Sequence, residues 1–247
     1  MEELLQVKGL SGGYTHKNVI HDLSFSIKRR EIVSLIGLNG AGKSTTIKHI
    51  IGLMQEKSGD ILLEGKTYQE DPVSYRHSIA YIPEVPILYD ELTLYEHLKL
   101  TAMAYDISEE TFKERLNPLL KEFRMERQLD WFPVHFSKGM RQKVMIMCAF
   151  LINPPLYIVD EPFVGLDPLG IQSYLSMMND VKAKGASVLM STHILATAER
   201  YSDRFIILHE GKIKAIGTLE DLRKNFQMPG ASLDDIYIAL TKEDRNV

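Results

Sequence analysis

The sequence predicts an α/β fold in which parallel strands are covered on both faces by helices. Three observations predict it. Short apolar, β-rich runs alternate with helical segments along the chain. Those runs are continuously apolar, as strands buried on both faces are. From about Val85 to Leu151 the pattern is helical with hardly a strand-like run, which marks a helical subdomain inserted into the α/β core.

Ile32-Val33-Ser34-Leu35-Ile36 is the first such strand and runs into a Gly-rich turn. A helix is expected from Gly42 to about Leu53, with Ile47, Ile50 and Ile51 on one face. Ile61-Leu62-Leu63, between Ser58-Gly59 and Gly65, reads as a short strand closed by a turn. In the helical middle, Thr93 and Glu96 make a T-x-x-E capping box ahead of Leu94, Leu98 and Ala102. Ser108 is placed to cap a second helix carrying Phe112, Leu116, Leu120 and Phe123. Leu156–Val159, Ser187–Met190 and Phe205–Leu208 are three more apolar strands. Glu210-Gly211-Lys212 then turns the chain into Ile213–Ile216, and Ser232 to about Leu240 forms an amphipathic helix expected to pack on its own domain. No internal repeat or low-complexity linker appears. The 247 residues are therefore expected to form one composite domain. Its core spans about 1–84 and 152–225, its insertion about 85–151 and its C-terminal tail about 226–247.

Composition sets outer limits. Apolar residues are 45% and charged residues 25% of the chain, the balance of a globular protein. The longest apolar run, Val144–Ile152, is far short of the ~20 residues a membrane helix needs. Met1-Glu2-Glu3-Leu4 does not resemble the start of a signal peptide. With 29 basic and 33 acidic residues the net charge is −4, without the basic excess of a nucleic-acid binder. The single cysteine, Cys148, lies inside the apolar run and is expected to be a small buried hydrophobe in a reducing cytoplasm.

The chemistry begins at Gly37-Leu38-Asn39-Gly40-Ala41-Gly42-Lys43-Ser44, which fits G-x-x-x-x-G-K-[ST] between a strand and a helix, with Thr45 following. Glycines let backbone N–H groups close around a β-phosphate, and the helix N-terminus adds its positive dipole end. Lys43 sets an ammonium against the β/γ-phosphates, and the Ser44 hydroxyl can bind Mg²⁺. No N-K-x-D base-reading motif of a GTPase is present. Leu156–Val159 delivers Asp160 and Glu161 at its C-terminal end. Asp160 is the expected Mg²⁺ ligand, and Glu161 the base that orients or deprotonates an attacking water.

With these two motifs the chain resembles an ABC-type ATPase subunit. Phe136-Ser137-Lys138-Gly139-Met140 is similar to the signature usually written L-S-G-G-Q, Gly165-Leu166-Asp167 to the D-loop, and Ser191-Thr192-His193 to the switch-histidine motif. Gly12-Gly13-Tyr14 matches the aromatic that stacks on adenine. Residues 163–168, Phe-Val-Gly-Leu-Asp-Pro, together with the signature, resemble ATP-binding subunits of bacterial ABC-2-like transporters. Overall length and Pro83-Glu84 resemble the Ecs-type subunits of Gram-positive bacteria.

The resemblance implies a P-loop NTPase fold of ABC type, with a mixed-sheet core, the inserted helical subdomain and a small N-terminal β subdomain. It implies ATP and Mg²⁺, the metal being held by Ser44, Asp160 and Glu84, and hydrolysis aided by His193. Ser137, Lys138 and Gly139 would meet ATP held by an opposite subunit, in a homodimer that drives a separate multi-span membrane subunit, an exporter. The chain would then work in the cytoplasm, peripheral to the inner face of the membrane. Two departures stand out. Lys138 and Met140 replace Gly and Gln in the signature, and Glu84 replaces the usual Gln after Pro83. Ionised glutamate only accepts hydrogen bonds, where glutamine also donates. Two other readings, a soluble ABC ATPase acting on nucleic acid or ribosomes and an ATP-gated regulatory module, predict long coiled-coil inserts or paired ATPase units in the first case and no turnover in the second.

Overall fold

The computed structural model describes residues 2–14, 16–161, 163 and 165–243. Val164 of the stretch compared above, and Met1 and residues 244–247 of the domain and tail ranges, lie outside them. The strands are β1 (Glu3–Gly12), β2 (Ile20–Lys28), β3 (Ile32–Ile36), β4 (Ser58–Leu63), β5 (Ile79–Ile82), β6 (Leu156–Asp160), β7 (Ser187–Thr192), β8 (Arg204–His209) and β9 (Lys212–Gly217). The helices are α1 (Lys43–Ile50), α2 (Pro72–His77), α3 (Leu94–Ala104), α4 (Glu109–Phe123), α5 (Lys138–Ile152), α6 (Pro168–Ala183), α7 (Leu195–Tyr201), α8 (Leu219–Asn225) and α9 (Leu233–Glu243).

Two sheets result. One is antiparallel, ordered β2-β1-β4, and the other is mixed, ordered β5-β6-β7-β3-β8-β9, with only β9 antiparallel to its neighbour. The apolar runs of β3, β6 and β7 are buried at every position, as expected of strands covered on both faces. Alternate residues serve different cores. Val33, Leu35, Ile158 and Leu189 pack with Ile47 and Ile50 of α1 and with the antiparallel sheet. Tyr157, Val159, Val188 and Met190 pack with Leu98, Phe112, Leu120, Val144 and Met147 of the helical layer.

The register of the mixed sheet decides where a site can form. Ile82 pairs with Val159, Asp160 with Ser191, and Ile36 with Thr192. The C-terminal ends of β5, β6, β7 and β3 therefore lie along one edge, where ligands of open α/β sheets bind.

Between β5 and β6 no strand occurs among the described residues, as the periodicity predicts. The Thr93–Glu96 capping box forms at the start of α3, and Ser108 accepts the Thr111 N–H at the start of α4. Ile61–Leu63 forms the expected strand and joins the antiparallel sheet beside β1. Two details differ from expectation. α1 ends at Ile50 rather than near Leu53, because Gly52 takes φ +72° and turns the chain away. The last helix runs to Glu243, and its Leu233 and Ile236 are buried against Ile36, Phe205 and Ile207, so it does pack on its own domain.

Cys148 is part-buried rather than fully buried as expected, packed against the helical-layer core, where desolvation raises its thiol to about 11. The folded protein is expected to resist a thiol-reactive disulfide reagent at pH 8 and to react fully once unfolded in guanidinium. Rapid reaction of the folded chain would contradict this burial.

Candidate active site

The loop between β3 and α1 reaches the sheet edge where the other strand ends meet. Gly42 precedes α1 with φ +106°, and a Cβ there would lie 2.8 Å from Ile20 Cγ2, so the turn requires glycine twice over. A cavity of about 330 Å³ opens beside this turn. Tyr14, Val19, Asn39, Gly40, Gly42, Lys43, Ser44, Thr45, Glu84, Glu161 and His193 line it. Gly37, Leu38 and Ala41 complete the loop without lining the cavity. The expected loop residues, the aromatic, one carboxylate from each of two strand ends and the histidine are thus brought together.

Their polar contacts converge on Glu161. Lys43 Nζ donates to the Gly37 carbonyl at 2.8 Å and lies 3.6 Å from Glu161 Oε1. His193 Nδ1 lies 2.9 Å from the same oxygen. Lys43 and Glu161 are each 6% exposed, so this charge pair is shielded from water. Glu161 also takes φ +49°, a left-handed conformation that is costly for a residue with a Cβ. Its N–H is held by the Ser191 carbonyl at 3.1 Å and the Ser191 Oγ at 3.2 Å. The Ser191 hydroxyl in turn donates to Asp160 Oδ1. Ser191 therefore holds the Asp160 carboxylate and the Glu161 backbone N–H, a role that motif reading did not assign; its place at the end of an apolar strand beside β6 was the available signal.

Asp160 is buried at the end of β6 and does not itself line the cavity. It and Glu84 both lie close to Tyr81. Burial first, then the charges of Asp160 and Glu84, push the Tyr81 phenol well above its ordinary value. Tyr14 is half exposed. Lys48 Nζ donates to its hydroxyl at 3.0 Å, and this hydrogen bond lowers the phenol from its ordinary value.

The signature-like residues lie apart from the cavity. Ser137 caps α5, accepting the Met140 N–H at 3.2 Å, and Ser137 and Lys138 are exposed. A Cβ on Gly139 would stand 2.7 Å from the Gly165 carbonyl oxygen, so glycine is what allows this turn to back against Gly165. Asp167 caps α6 through the Gly170 N–H at 3.2 Å.

Comparison with known proteins settles the family. The model described as "ABC transporter" matches residues 20–164. This chain belongs to that family. It is 66% identical to the ABC-type transporter ATP-binding protein EcsA of Bacillus subtilis (strain 168), over 98% of each chain. It is 37% identical to the SkfA peptide export ATP-binding protein SkfE of the same organism, over 85% of this chain and 87% of that one. A solved structure described as "Structure of ATP binding subunit of ABC transporter" superposes with a TM-score of 0.94 at 63% identity, covering 96% of this chain and 99% of that one. The chain is thus an ABC transporter's ATP-binding subunit and an ATPase, on the ABC ATPase fold. None of its described helices is long and apolar enough to cross a membrane.

Proposed function

We propose that two copies of this subunit close around two MgATP and drive a separate multi-span membrane subunit in the direction of export. The observation that carries the reading is the convergence of Lys43 and His193 on Glu161 Oε1 at the head of the cavity. In this reading the backbone N–H groups of residues 39–45 and the positive end of α1 hold the phosphates, with Tyr14 against the adenine. Glu161 orients the attacking water and accepts its proton. His193 holds Glu161 in position and meets the γ-phosphate, and Lys43 neutralises charge building on the phosphate oxygens. Ser44, Asp160 and Glu84 would hold Mg²⁺, and their hard oxygen donors suit that ion, which takes few protein ligands beside phosphate and water. When bound, Mg²⁺ supplies charge neutralisation across the phosphates.

The exposed Ser137 and Lys138, with Gly139, are the groups we assign to ATP held by the opposite subunit. One chain carries a full set of motifs, which supports a homodimer. Loss of γ-phosphate contacts after hydrolysis would reopen it. Support for export is the likeness to SkfE, a peptide export ATP-binding protein. We read residues 1–247 as one domain, with the insertion at about 85–151 and the tail at about 226–247.

The membrane partner is assigned to the face beside Glu84. Val85, Ile87 and Tyr89 are exposed there, at 69%, 77% and 63%. Trp131, Phe132 and Val134 are exposed as well, in a segment tied to the start of α3 by the Leu94 N–H to the Trp131 carbonyl. Large apolar side chains left exposed in this number favour an interaction site. The subunit would then sit in the cytoplasm at the inner membrane face, held by that partner and without nucleic acid. Ile87→Asp is expected to abolish co-purification of the membrane subunit in mild detergent while leaving ATP affinity unchanged. Undiminished co-purification would remove this face from the interface.

A further inference from the structure

The phosphate loop has a contact that none of its motifs requires. The Leu38 N–H donates to the Tyr237 hydroxyl at 3.0 Å, joining the second residue of the loop to α9, the final helix. Tyr237 is 5% exposed, and its neighbours Leu233 and Ile236 are buried against Ile36, the residue immediately before the loop, and against Phe205 and Ile207. The other end of α9 is fixed to α7, where the Leu233 N–H donates to Glu199 Oε2 at 2.7 Å. α7 begins two residues after His193. One helix therefore touches both the phosphate loop and the helix behind the switch histidine.

Leu38 is held from both sides. Its carbonyl receives Lys43 Nζ at 3.4 Å, and its N–H is received by Tyr237. Lys43 is the residue whose ammonium must turn toward phosphate when nucleotide binds. Once it turns, the Ala41 N–H still holds the Leu38 carbonyl at 3.0 Å, and the Tyr237 hydroxyl is what holds the Leu38 N–H. We propose that Tyr237 is a positioning residue for the phosphate loop: its hydroxyl holds the loop's first turn in the shape that accepts the phosphates. It touches neither nucleotide nor reacting atoms. The proposal rests on the reading of residues 37–45 as the phosphate site.

Tyr237→Phe removes the hydroxyl and keeps the ring. It leaves the Leu38 N–H without its acceptor, a loss that raises the Kd and the KM for ATP by roughly three- to tenfold. Because Tyr237 acts on binding, kcat should stay within about twofold. The test measures ATP affinity by calorimetry and steady-state hydrolysis in the full chain, together with hydrogen exchange of a peptide covering residues 36–42. Faster exchange in that peptide is expected of Tyr237→Phe. Leu233→Ala, which loosens α9 without removing the hydroxyl, should lower thermal stability more and ATP affinity less. Wild-type affinity and exchange in Tyr237→Phe would overturn the proposal, as would an affinity loss no larger than that of Leu233→Ala. Lys43→Ala is run alongside: if it binds ATP normally, the phosphate-site reading fails and takes this proposal with it, whereas normal binding by Tyr237→Phe alone overturns only the role of α9.

Discussion

Glu161→Gln is expected to bind ATP with nearly unchanged affinity and to lose turnover by about a hundredfold or more. The amide keeps an oxygen where Oε1 stands, so the shape of the site and the 2.9 Å approach of His193 survive. What disappears is the negative charge and with it the ability to take a proton from water. General-base catalysis by a positioned side chain contributes about 10²–10⁴-fold to rate, which sets the size of the loss. Binding should be spared because, in the proposed reading, the phosphates are held by backbone N–H groups and Lys43. The variant should also accumulate as an ATP-bound dimer, since the closed state persists when its γ-phosphate is not removed. Phosphate release, nucleotide titration and light scattering with and without ATP read the three expectations. A hydrolysis rate equal to that of the unaltered protein would take Glu161 out of the catalytic role.

Lys43→Ala fails earlier, at binding. Lys43 is buried, it donates to the Gly37 carbonyl, and it stands 3.6 Å from Glu161. Deleting it removes the ammonium we assign to the phosphates and leaves Glu161 buried without its lysine partner. Breaking a buried charge pair by removing one partner costs about 3–5 kcal/mol. In this site that cost falls on the loop and on the nucleotide together. ATP affinity should drop by at least about a hundredfold, a change of roughly 2.7 kcal/mol, read by calorimetry. The two variants are therefore separable: one binds and does not turn over, the other does not bind. An affinity within a few fold of the original would count against the loop as the phosphate site.

Much of this site was legible because its signals are local. The Gly-rich loop, the apolar strand ending in Asp160-Glu161 and the caps at Thr93, Ser108 and Ser137 are each written within a few consecutive residues. Their physics is equally local: a turn, a strand end, a first helical turn. β1 was harder. Its register against β2 shifts three times, between Glu3 and Leu5, Val7 and Leu10, and Leu10 and Gly12, and these irregularities break the alternation that would announce a half-buried strand. The end of α1 was misplaced because its apolar pattern continues through Ile51 while Gly52 adopts a left-handed turn. The Tyr237–Leu38 contact had no signal at all. It spans 199 positions, and a tyrosine on an amphipathic helix looks the same whether its hydroxyl meets water or a loop. Ser191 lay between these cases, visible in a motif but with its contacts to the Asp160 carboxylate and the Glu161 backbone N–H set by the β6–β7 register.

The order of strands in the mixed sheet has a further meaning for the chain as it is made. β3, which launches the phosphate loop, is flanked by β7 and β8 rather than by any strand near it in sequence. During synthesis its first residues leave the ribosome early, and both its hydrogen-bonding edges stay bare until Ser187–Thr192 and then Arg204–His209 have emerged. Non-local parallel pairing of this kind is slow to form and exposes apolar strands meanwhile. A nascent chain that stalls before Thr192 would present an unprotected Ile-Val-Ser-Leu-Ile segment. The sheet edge beside the loop that follows β3 is therefore complete only once β7 and β8 have been made.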